Sequence, residues 1–195
     1  GESLEAIFAH TPGLKVAVPS DPEEAYGLLL QSVRSDDPVV YMEPKSRYWD
    51  RRPVRLREPS SPIGASRIVR PGRHATLIAW GAMVQRCVQV AELAAEDGVE
   101  LEVLDLRWLK PIDTAGLAES VSRTKRAVVV HEAPLTAGLG AEMFALVTEN
   151  CFGDLAAPVQ RVTGFDVPYP AGHLEPQYLP TIDRVLFAVQ RTLEY

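Results

Sequence analysis

Cysteine is scarce in this sequence: Cys87 and Cys151 are the only two, with no CxxC spacing and no histidine beside either. Neither a disulfide framework nor a cysteine zinc site is indicated. Two buried thiols in a reducing compartment are expected instead, the bacterial type of cytoplasm or, as the alternative, the mitochondrial matrix. Long apolar runs are lacking too. Stretches such as Ala127 to Val130 and Leu28 to Leu30 fall far short of the roughly 20 residues that a membrane helix needs. Positive charge is not in excess. A formal net charge of −6 gives no broad field for nucleic acid or an anionic membrane, and neither partner is expected. GxSxG, HExxH and GxxxxGK[ST] are all missing, so the usual signatures of hydrolysis and nucleotide binding are absent. No starting methionine and no basic, apolar leader stands at Gly1 to Glu5, which reads as a truncated or tagged chain without a signal peptide.

What is present is the balance of an ordinary globular protein, 46% hydrophobic and 24% charged over 195 residues. Apolar, β-rich runs alternate with helical periodicity, the pattern of a mostly parallel sheet covered by helices, an α/β fold in three layers. Strands are expected at Leu14–Val18, Pro38–Tyr41, His74–Trp80, Val99–Leu104, Ala127–Val130 and Pro158–Val162. Helices are expected from about Pro22 to Ser35, Gly81 to Asp97, Thr114 to Thr124, Gly140 to Cys151 and Tyr178 to Leu193. Ser20 or Asp21 can cap the first of these, with Pro22 harmless in its first turn, and Asp113 can cap the third. Gly98 stands where a left-handed C-cap is wanted. Residues 51–66, rich in proline and arginine, read as a linker. The chain therefore divides into 1–50, which has too few elements to close a core alone, and 67–195, with a sheet and core of its own.

Three stretches invite a chemical reading. His131 to Glu142 joins a strand to a helix through Gly138-x-Gly140, a turn that can present backbone N–H groups at a helix N-terminus. It lacks the third glycine of the dinucleotide fingerprint. His131 and Glu132 are adjacent on a strand and so point to opposite faces; a buried, hydrogen-bonded histidine at a subunit interface is the preferred reading of the pair. The basic run Arg47, Arg51, Arg52, Arg55 and Arg57, interleaved with Tyr48 and Trp49, suits an inter-subunit or inter-domain surface better than RNA, given the acidity of the whole. His10, His74 and His173 sit in loop-like surroundings without ligand spacing.

Several blocks, in collinear order, resemble β subunits of 2-oxoacid dehydrogenase complexes: Ser3 to Val16, Pro38 to Lys45, Asp105 to Pro111, His131 to Thr136 and Val162 to Pro170. The His131 to Thr136 wording and the Glu175-Pro176-x-Tyr178-x-Pro180 spacing look more like the branched-chain type than the pyruvate type. The resemblance implies the end of a transketolase-like pyrimidine-binding domain followed by a transketolase C-terminal domain. It also implies thiamine diphosphate and magnesium in an α2β2 assembly, with an α subunit, a second β chain and a lipoyl-bearing acyltransferase core as partners. The family's catalytic glutamate and histidine fall upstream of Gly1, so no catalytic residue is carried over and cofactor contacts stay unassigned. A potassium ion held by some members corresponds to Ser32, Ser35 and Asp37, oxygen donors suited to a hard cation. Docking of the acyltransferase in pyruvate-type members corresponds to the Tyr195 carboxylate, but Ala156 replaces the family's acidic residue, leaving Asp154 or Asp166 to compensate.

The leading expectation is thus part of an enzyme that oxidatively decarboxylates a branched-chain 2-oxoacid and passes the acyl group to a lipoyl arm, the isolated chain being inactive. The alternatives are a non-catalytic dimerisation and docking module, and the same fold acting on pyruvate or acetoin.

Overall fold

The computed structural model describes residues 2–56, 59 and 61–195. In the first region, helix α1 (Glu5–His10), strand β1 (Lys15–Ala17), helix α2 (Pro22–Val33) and strand β2 (Val39–Tyr41) follow one another. Asp21 caps α2 by accepting from the Glu24 N–H at 2.9 Å, with Pro22 at the first helical position. Helix α1 has no counterpart among the expected elements. At six residues it is too short to show a period, and it places His10 in its last turn rather than in a loop.

The second region contains β3 (Arg67–Arg70), β4 (Ala75–Ala79), α3 (Ala82–Glu96), β5 (Leu101–Asp105), β6 (Trp108–Lys110) and α4 (Thr114–Thr124). It continues with β7 (Ala127–Pro134), α5 (Leu139–Cys151), β8 (Gln160–Gly164), α6 (Glu175–Tyr178) and α7 (Ile182–Leu193). Five strands form one sheet in the order β3-β5-β4-β7-β8, parallel except for β3. Period-two alternation divides its two faces. Leu77, Ala79, Val103, Val128 and Val130 pack with Val84, Cys87 and Val90 of α3 and Val185 and Val189 of α7. Ile78, Leu104 and Val129 pack with Leu117 and Val121 of α4 and Met143 and Val147 of α5. The three-layer expectation describes this domain.

The terminal helix begins at Ile182, capped by Thr181, and not at Tyr178. Pro180 disfavours helical backbone at the residue before it, so residues 175–178 form a separate short turn of helix. Strands β3 and β6 are further departures from the sequence reading. β3 exposes both Ile68 and Val69, so no alternation marks it. β6 lies in the second region by sequence but pairs antiparallel with β1, giving a small sheet β2-β1-β6. Trp108 of β6 is fully buried there with Ala17 and Leu28.

Candidate functional site at the junction of the two regions

Strand β4 connects through α3 on one face to β5, while β7 connects through α5 on the other face to β8. The carboxyl ends of β4 and β7 therefore flank the crevice where open α/β sheets hold ligands. Here that crevice is filled by the chain itself. Trp80, just past β4, lies flat on His131 of β7, with ring centroids 5.2 Å apart and planes 9° from parallel. Its indole N–H donates to Glu5 Oε1 of α1 at 3.2 Å. Ser3 donates to Glu132 Oε2 at 3.3 Å. Gly138 and Gly140 press against the imidazole so closely that a Cβ on either would collide with it. Burial pushes the Glu5 carboxyl up from its ordinary range, with nearby Glu132 adding to the shift. Glu132 is likewise raised by burial. The same desolvation lowers His131 to about 4, so the ring is neutral at physiological pH.

The expectation of a hydrogen-bonded His131 is corrected. Among the described residues neither ring nitrogen has a hydrogen-bond partner, and the side chain is fully buried. Its place on β7 directs it inward under Trp80, whereas Glu132 points the other way and is half-buried.

A second cluster lies beside it. Asp105, the last residue of β5, is wholly buried and accepts from the Ser20 hydroxyl at 2.6 Å and the Arg107 N–H at 3.0 Å. Arg67 reaches Glu24 at 2.9 Å, Asp21 at 3.0 Å and Asp105 at 3.8 Å. Arg107, in left-handed backbone at φ 57°, donates to Glu24, Ser61 and the Ala65 carbonyl. It thereby fixes the linker onto α2. Burial pushes Asp105 up to about 7 against the lowering effect of Ser20 and Arg67. Burial also works against Asp21, yet the Glu24 N–H, Arg67 and Arg52 hold it below the usual carboxylate range. A cleft of about 370 Å³ opens next to this network, lined by Glu23, Tyr26, Arg55, Ser66 and Arg67 among others. Sequence reasoning missed Glu5, Trp80, Ser20, Arg67 and Arg107 as a group. The one available signal was charged Asp105 and Arg107 inside the apolar run Leu101 to Leu109.

Of the residues matched to potassium, Ser35 and Asp37 both contact a lysine of the chain. The Lys15 ammonium lies 2.9 Å from Ser35 Oγ and 2.9 Å from Asp37 Oδ2, so an internal cation already neutralises that turn. Ser32 turns back to the Leu28 carbonyl at 2.6 Å. Among the docking candidates, Tyr195 and Asp154 are exposed. Asp166 is engaged, accepting from the Thr136 N–H and hydroxyl at 3.0 and 2.7 Å, which hold its carboxyl below its ordinary value. Arg57 of the basic run and Gly1 lie outside the described residues. Among the described residues no group of three His, Cys, Asp or Glu side chains is disposed to hold a metal ion. The donor set present does not fit magnesium and a diphosphate.

Comparison with known proteins bears on this arrangement. Residues 1–49 match the family described as transketolase, pyrimidine binding domain, and residues 64–185 match transketolase, C-terminal domain. A pyruvate dehydrogenase E1 component subunit beta from Leifsonia xyli subsp. xyli is 50% identical over all of this chain and 58% of its own length. A mitochondrial 2-oxoisovalerate dehydrogenase subunit beta from Dictyostelium discoideum is 42% identical over all of the chain and 53% of its own. A 3-methyl-2-oxobutanoate dehydrogenase subunit beta from Mycobacterium tuberculosis is 44% identical over 98% of the chain and 56% of its own. The chain thus spans a little over half the length of these relatives. A solved structure titled split gene transketolase, inactive beta4 tetramer, superposes with a TM-score of 0.76 at 26% identity, covering 97% of this chain and 60% of that one. With the fold, the sealed crevice and the domain matches in agreement, the chain belongs to the transketolase family as its C-terminal domain preceded by the closing part of a pyrimidine-binding domain.

Proposed function

We propose that this chain is the later portion of the β subunit of a thiamine diphosphate-dependent 2-oxoacid dehydrogenase. The observation that carries the reading is collinear similarity across the whole chain, at 42–50% identity, to proteins named as such β subunits. In this role the chain supplies scaffold rather than reacting groups. Its five-stranded sheet and the Glu5–Trp80 and Arg67–Glu24 contacts hold the pyrimidine-domain elements α1, β1 and α2 in place. The cofactor, when bound in the complete assembly, supplies the carbanion chemistry of decarboxylation. The proposed partners are the α subunit, a second β chain and a lipoyl-bearing acyltransferase core, with Tyr195 and Asp154 the exposed groups offered to the last. A reducing compartment, the cytoplasm of a bacterium or a mitochondrial matrix, is proposed from the two unpaired, buried cysteines.

For the substrate, a branched-chain 2-oxoacid is favoured by the His131 to Thr136 and Glu175 to Pro180 segments. Pyruvate is the second reading, favoured by the 50% identical relative. The test is to reconstitute the complete β subunit containing this chain with its α subunit and thiamine diphosphate, and to compare kcat/KM for 3-methyl-2-oxobutanoate and pyruvate in a lipoyl-acylation assay. A preference for the branched acid supports the first reading, and a preference for pyruvate replaces it with the second. No decarboxylation of either overturns the dehydrogenase reading.

A further inference from the structure

Helix α1 inverts the usual burial pattern. Ile7 is 63% exposed, while Glu5 is 2% exposed and shares the inward face with Ala9, four positions on. A glutamate is almost never fully buried unless an opposite charge meets it. Among the described residues, no lysine, arginine or histidine pairs with Glu5, and the one side chain donating to it is the neutral indole of Trp80, at 3.2 Å. The groups around it bring charge of its own sign or none: Glu132 and neutral His131 on β7, Glu2 just before α1, and Glu175 and Tyr178 on α6. Cations on the adjoining elements are engaged elsewhere or open to solvent. Arg86 of α3 donates to the Pro180 carbonyl at 3.1 Å and Lys15 of β1 lies 2.9 Å from Asp37, while Lys110 of β6 and His10 at the far end of α1 are exposed.

We infer that Glu5 is a proton-operated latch, which docks α1 on the crevice as the neutral acid and releases it as the carboxylate. The neutral form suits the site, because one oxygen accepts from the Trp80 indole and no counter-charge is needed. The charged form would keep only neutral donors, that indole and the N–H of its own residue, with Glu132 repelling it. Burial outweighs those donors and raises the carboxyl above its ordinary 4.5. A group shifted in this direction stabilises the docked helix below its ordinary value and ceases to do so as pH rises through the folded value. Release is confined to α1, because α2 is held by the separate network around Asp21 and Glu24. The latch involves neither the substrate nor the cofactor of the proposed enzyme.

The test is hydrogen exchange on the full chain over about pH 5 to 9, with protection expressed relative to the unfolded chain at each pH. Amides of α1 should lose protection by up to about tenfold per pH unit as Glu5 ionises, while β4, β5 and β7 hold theirs. In Glu5→Gln, whose neutral amide keeps an acceptor for the indole, α1 should stay protected without pH dependence. Asp105→Asn should leave the α1 profile unchanged, which separates the latch from the Asp105 network. Carbon-13 NMR titration of the Glu5 carboxyl in the unsubstituted chain keeps the test open if Glu5→Gln does not fold. Its midpoint should lie above the ordinary carboxylate range and coincide with the loss of α1 protection. Flat α1 protection in the unsubstituted chain, a slope that persists in Glu5→Gln or vanishes in Asp105→Asn, or a carboxyl midpoint in the ordinary range overturns the inference.

Discussion

Residues 2–49 and residues 64–195 both alternate strand with helix, yet they differ in how their strands are held. In the second region β4, β5 and most of β7 are buried on both faces, which is how a sheet between two helical layers is stabilised. In the first, β1 and β2 are three residues long, β2 is half-buried throughout, and Ile7, Leu29 and Val33 of the two helices are exposed. What order the first region has is supplied by β6, by Trp80 against Glu5, and by Arg67 and Arg107 against α2. The smaller region behaves as an extension of the larger one's core, and its stability should be sensitive to contacts made from across the boundary.

The sharpest way to break that dependence is Trp108→Ala. Removing a fully buried indole costs about 3–5 kcal/mol. Hydrogen exchange should show α1, α2 and β1 losing protection while β4, β5 and β7 keep theirs. Equal loss in both regions would mean that they unfold as one unit. Next in size is Arg107→Met, which leaves the Ala65 carbonyl without its donor and Glu24 with Arg67 alone. Breaking one side of such a buried pair costs on the order of 3 kcal/mol, read as a lower urea midpoint with faster proteolysis between residues 51 and 66.

Asp105 sharpens the comparison through pH. Its folded pKa of about 7 lies above the ordinary 3.8, so between those values the folded state holds more protons than the unfolded one. The stability this group contributes is then fully present at low pH and is lost as pH rises to about 7, with a slope of at most about 1.4 kcal/mol per pH unit. Asp105→Asn should flatten that decline in urea titrations between about pH 4 and 7; an unchanged slope would assign the pH dependence elsewhere. The smallest effect concerns Lys15. Its exposed pairing with Asp37 is worth about 0.5–1 kcal/mol. Lys15→Ala should lower the Tm slightly and make it higher in potassium than in sodium chloride, whereas the parent chain should respond alike to both salts.

Much of the second region was legible because its signals are local. The Asp113 cap, the glycine at 98 and the apolar runs around Leu77, Val103 and Val129 each mark an element within a few residues. What was not legible depended on distant partners. β6 looks like the tail of the β5 run until β1 is found beside it, and β3 shows no period because it is an edge. The candidate site divides in the same way. The Asp21 cap could be read directly, but Asp105, Ser20 and Arg67 meet only after residues 20, 67 and 105 are folded together.

By itself the sequence determined the α/β class and the family, since periodicity, turn residues and collinear motifs are properties of the chain's order. Only the tertiary structure decided that the crevice at the ends of β4 and β7 is closed, that His131 is a core residue stacked on Trp80, and that the first region leans on β6. Those outcomes depend on which side chains exclude water from one another across long separations, and burial, not local order, sets the energy of each.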